Sequence, residues 1–164
     1  MGGLRRSTRF SAVFLILLAV CCGAGSAAAK SVERILYVNL LGGLEPWSVE
    51  IFRDGKVVWD NSSQGQLLME PAPERKEGLV PAERCQALAD LLEKYGYTVK
   101  RPVAGVEPKI RLTVFFDDGT KVTNLGPSPL ADDDVLRDFT EVEQVILELT
   151  ASTGASVRGF YYKP

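Results

Sequence analysis

The stretch 108–126, PKIRLTVFFDDGTKVTNLG, limits what this chain can fold into more than any other. Ile110, Leu112, Val114 and Phe116 alternate with Arg111, Thr113 and Phe115. That is a period of two in β-branched and aromatic residues, which suits a pleated strand. Asp117-Asp118-Gly119 supplies the positive-φ residue of a tight reversal, and residues 120–125 return with Val122 on the inner face. A hairpin with one apolar face is not stable alone in water, so other elements must cover it.

The rest of the chain offers those elements. Residues 31–41 (SVERILYVNLL) predict a strand with Ile35, Tyr37 and Leu41 on one face. Leu36, Val38 and Leu40 make its other face equally apolar, as in a central strand covered on both sides. Gly42-Gly43 breaks it, and Pro46 opens a strand over 47–53 in which Trp47, Val49 and Ile51 share a face. Asp54-Gly55 then turns the chain into 56–60, KVVWD, a second hairpin of the same style. A further short strand is expected at 66–70. Residues 70–81 (EPAPERKEGLVP) read as a charged, proline-rich connection within one domain.

Pro81 and Glu83 suit the start of a helix. Cys85, Leu88, Leu92 and Tyr95, with Leu91 beside them, form its apolar stripe, and Gly96 stops it. Residues 97–106 are open between loop and short strand. Gly126-Pro127-Ser128-Pro129 reads as a loop, and Asp132-Asp133-Asp134 leads into a longer helix with a stripe of Val135, Phe139, Val142, Ile146 and Leu149. Gly154 ends that helix or the loop after it, and residues 156–162 (SVRGFYY) read as a last edge strand or an aromatic tail. The expected fold class is α+β: one domain over 30–164, an antiparallel sheet built on two Asp-Gly hairpins with two helices packed on one face.

Residues 1–29 are set apart from that domain. Arg5, Arg6 and Arg9 precede an apolar run over 10–22, and Ala27-Ala28-Ala29 offers a small-x-small cleavage site. This is the layout of a secretory signal peptide, with an apolar core too short to span a bilayer comfortably. The expected mature chain begins at Lys30 and is periplasmic or secreted. Two alternatives would put the protein on a membrane: an uncleaved anchor, with the weakly apolar 23–29 extending the span, and a lipoprotein, through Cys21 or Cys22. Removing 1–29 leaves 16 basic against 21 acidic residues. No element clusters Lys and Arg to release phosphate counterions, so nucleic acid is not an expected partner.

Cys85 is then the sole cysteine, and about 135 residues must hold together by burial alone. The chain has no histidine, which removes the commonest general base and metal ligand, and with them every Ser-His or Cys-His arrangement. Cys85 lies in register with Leu88 and Leu92, the position of a buried small hydrophobe rather than a nucleophile. Asp117-Asp118 and Asp132-Asp133-Asp134 are the acidic clusters. Neither follows the twelve-residue Ca²⁺-loop pattern, and they read as a turn and a helix N-terminus. No metal or cofactor is expected. Asn61-Ser62-Ser63 matches a glycosylation acceptor in a host that glycosylates exported proteins. Trp47, Trp59, Phe160, Tyr161 and Tyr162 are the candidate partner-binding residues, the two tryptophans on condition that they are exposed.

Residues 43–51 (GLEPWSVEI), followed by Asp54-Gly55-Lys56-Val57, resemble the opening of a family of uncharacterised, mostly bacterial domains. Members read Gly-x-Cys-Pro-x-Tyr, an alternating strand, Asp-Gly and a return strand, then a helix, a second Asp-Gly hairpin and a last helix. Here Glu45 stands where the family has its Cys, and 46–55 is one residue shorter. More distantly, the order of elements is similar to that of emfourin-type inhibitors of thermolysin-like metalloproteases. The resemblance implies the α+β fold over about 43–150. The expected role is contact with another protein, inhibition included. A carboxylate-dependent hydrolase and a structural cell-envelope component are the alternatives.

Overall fold

A computed structural model of the chain describes residues 30–40, 47–61, 74–102 and 109–157. The signal peptide expected at 1–29, the strand expected at 66–70 and most of the C-terminal aromatic stretch lie outside them. The elements run β1 (Val32–Asn39), β2 (Trp47–Phe52), β3 (Lys56–Asp60), β4 (Arg75–Leu79), α1 (Ala82–Lys94), β5 (Ile110–Phe116), β6 (Lys121–Leu125) and α2 (Asp133–Thr150). A single 3-10 turn, Ala151–Thr153, follows α2 and ends at Gly154 in the left-handed region.

The strands form one sheet in the order β4-β3-β2-β1-β5-β6, and every neighbouring pair is antiparallel. Both Asp-Gly hairpins are present, as β2–β3 and β5–β6. β1 is the central seam, with Tyr37 opposite Val49 on one side and Leu112 on the other. The period-two pattern therefore places Ile35, Tyr37, Val49, Ile51, Val57, Leu112 and Val114 on one face, all of them buried.

Both helices cover that face. α1 contributes Cys85, Leu88 and Leu92 and α2 contributes Phe139, Val142, Ile146 and Leu149, one core with the sheet. Each such large side chain stabilises the fold by about 1.5–3 kcal/mol on burial. The α+β reading with both helices on one face holds. On the opposite face Leu36 and Val38 are only half-buried. There Arg34 lies over the Phe115 ring, Cζ 3.9 Å from its centroid, and pairs with Glu50 at 3.0 Å.

Residues 75–79 correct the sequence reading, which took 70–81 as a connection. They form the edge strand β4, pairing Val58 with Glu77 and Trp59 with Lys76. The segment lacks an apolar alternation because its two faces carry Arg75, Glu77 and Leu79 on one and Lys76 and Gly78 on the other. Pairing with β3 and the Lys56–Glu77 ion pair at 2.9 Å make it a strand, and a charged edge of this kind discourages further pairing.

Candidate functional site

The two tryptophans do not form an exposed surface. Trp47 and Trp59 are 5% and 7% exposed, on the helix-covered face. Their alternation with Val49, Ile51 and Val57 carries them into the core, and Trp47 packs its ring 5.3 Å from that of Tyr37. Neither can serve a partner without unfolding the sheet. Phe160, Tyr161 and Tyr162 lie outside the described residues.

Cys85 is buried with Leu88 and Leu92, and burial pushes its thiol pKa up, away from nucleophilic use. The acidic clusters are occupied locally. Asp117 accepts from the Ser31 hydroxyl at 2.6 Å, and Asp118 pairs with Lys30 at 2.7 Å while accepting from the Thr120 backbone. Bonding to Lys30 and Thr120 holds the Asp118 carboxyl down at about 2. Asp134 pairs with Arg137 at 2.8 Å. One carboxylate escaped the sequence reading: Glu143, on α2 and wholly buried, accepts a 2.5 Å hydrogen bond from the Tyr37 hydroxyl. It ties the central strand to the covering helix.

The opening best suited to a ligand lies elsewhere, at the end of the sheet where α1 finishes and α2 begins. It is a cleft of about 350 Å³ between the turn 97–102, the loop 126–131 and the first turn of α2. Tyr97 forms its floor for a local reason. Gly96, at φ +72°, lets the chain leave α1 through paired bonds, Tyr97 N–H to the Leu92 carbonyl at 2.7 Å and Gly96 N–H to that of Glu93 at 2.9 Å. This is the Schellman arrangement, and it turns the residue after the glycine back onto the helix and the core. Tyr97 is 1% exposed, with its ring edge-on to Phe139 at 5.6 Å.

Asn124 then fixes the turn to β6. It is buried, and its side chain donates to the Tyr97 and Val99 carbonyls at 2.8 and 2.9 Å and accepts from the Arg101 N–H at 2.8 Å. So clasped, Arg101 stacks over the Tyr97 ring with Cζ 4.5 Å from its centroid. Among the described residues its guanidinium forms no ion pair. The Tyr97 hydroxyl is buried beside that guanidinium. Burial pushes its pKa up, against the opposing effects of the Arg101 charge and of a hydrogen bond with Arg101.

The other wall is apolar and stiff. Leu125, Gly126 and Pro127 line it, and Gly126 N–H bonds the Ile110 carbonyl at 2.9 Å. Ser128 caps the loop by accepting from the Leu130 N–H at 3.2 Å, which leaves Leu130 90% exposed on the rim. Asp132 closes the lining at the α2 end. Among the described residues the cleft thus combines apolar walls with one cation, which is the anatomy of a binding site. No known family model matches this chain, and no curated protein matches it either.

Proposed function

We propose that this protein is an exported binding module that acts on another protein by contact rather than by turnover. Leu130 carries the reading. A large apolar side chain held almost wholly in solvent, on the rim of an apolar cleft and braced by prolines on either side of Ser128, is the form of an interface anchor. Among the described residues lining the cleft Asp132 is the sole carboxylate, which supports contact over a hydrolase that needs two carboxylates across a substrate. Inhibition is one outcome of such contact, wherever the bound surface borders a partner's own active site.

Affinity capture from the native exported fraction with the domain beginning at Lys30 tests this. The expected result is a stoichiometric complex in which the partner stays chemically intact. Turnover of a glycan or peptide substrate by the purified protein would overturn it. N-terminal sequencing of the exported protein should begin at Lys30, and a lipid-bearing start at Cys21 or Cys22 would place the module on a membrane instead.

A further inference from the structure

We infer that the cleft takes the free C-terminal carboxylate of its partner, with the partner's last apolar side chain lying against Leu125, Pro127 and Leu130; this rests on the contact reading above. Three observations converge. Among the described residues Arg101 is the one cation lining the cleft, and its guanidinium has no carboxylate partner among them. Tyr97, buried beneath it, holds that guanidinium at the cleft wall through its ring, 4.5 Å from Cζ. An acceptor entering next to Arg101 would therefore meet a charged donor of a geometry suited to a carboxylate. Finally, a cleft of about 350 Å³ is near the small end of ligand sites. It suits the last residues of a chain better than a segment that must enter and leave.

The charge of the whole chain favours a terminus over an acidic surface patch. Acidic residues outnumber basic ones, 21 to 19, so a strongly acidic partner surface would be repelled, whereas one terminal carboxylate needs only one cation. Asp132 lines the same cleft at the start of α2, and its carboxylate is an acceptor for peptide N–H groups of an incoming chain.

The test uses acetyl-Ala-Pro-Leu as the free acid and as the C-terminal amide, titrated into the domain and followed by NMR. The free acid is expected to shift the Tyr97, Arg101 and Leu130 amides, and the amide form to bind at least tenfold more weakly. Arg101→Gln should erase the difference between the two forms while leaving the melting temperature unchanged. Equal binding of acid and amide, shifts located elsewhere, or no shift at millimolar peptide would each overturn the inference. If partner capture still depends on Leu130 in that event, the carboxylate proposal fails and the contact reading stands.

Discussion

The two Asp-Gly hairpins are alike in sequence and opposite in use. In the first, Gly55 is buried at φ +96°, and a Cβ there would stand 2.1 Å from the Val80 carbonyl oxygen. That carbonyl belongs to the short link between β4 and α1, and Val80 N–H bonds back to the Gly55 carbonyl at 2.9 Å. The turn is a packed joint through which strand, edge and helix meet. In the second, Gly119 has φ +78° and nothing within 4 Å of where its Cβ would be. That turn stands in solvent, held by Asp117 and Asp118 to the start of β1. The same dipeptide signal thus marks a packed joint and a free reversal, both at the end of the sheet where β1 starts. The hairpin with the free turn is the one that carries the cleft, at the opposite end of its strands.

The sharpest way to break this comparison is to substitute both glycines. Gly55→Ala meets a backbone oxygen as well as an unfavourable φ, and should cost about 3–5 kcal/mol in denaturant unfolding. Gly119→Ala meets only the φ penalty and should cost about 1–2 kcal/mol. Equal losses would mean that the first turn is not a joint. Between these two falls Asn124→Ala, which strips three hydrogen bonds from the turn 97–101 and should cost about 2–4 kcal/mol. It should also speed hydrogen exchange at Val99 and Arg101 while leaving β2 and β3 protected. Uniform exchange across the sheet would refute the clasp.

Much of the architecture was legible from the sequence, because it is written in side-chain period. β5 alternates cleanly, α1 and α2 carry stripes at three- and four-residue steps, and both turns contain Asp-Gly. β4 was not legible, since its charges face solvent on an edge and only pairing with β3 makes it a strand. The tryptophans illustrate a different limit. Their aromatic character suggested an interface, whereas their position in the alternation decided where they point. The site itself leaves the faintest trace. Asn124 and Glu143 are polar residues set among apolar ones, and their partners are far away in the chain. Arg101 and Leu130 lie on segments without any period, so only the folded chain brings them to one cleft. Gly96 before Tyr97 was the available signal, and it told of a helix end rather than of a site floor.

A smaller effect sharpens the description of the free turn. Lys30 and Thr120 hold the Asp118 carboxyl at about 2, below its ordinary 3.8. A carboxyl lowered by folding contributes stability that is present above its unfolded pKa and lost as pH falls through the folded value. The wild type should therefore lose a slight increment of stability between about pH 4 and 2 that Asp118→Asn lacks, with the loss small because the group is exposed. An NMR titration midpoint for Asp118 near 3.8 instead of about 2 would show the turn is not tied to Lys30 in solution.

The central claim is that contact is made at the cleft end of the second hairpin and not along the charged edge of the first. Leu130 and Leu79, 90% and 80% exposed, are matched apolar side chains on the two sides. Measuring the affinity of the captured partner for Leu130→Asp and Leu79→Asp tests it directly. The account predicts that Leu130→Asp weakens binding at least tenfold, about 1.4 kcal/mol or more, while Leu79→Asp leaves it unchanged and both variants stay folded. Loss of binding in Leu79→Asp with full affinity in Leu130→Asp would contradict it.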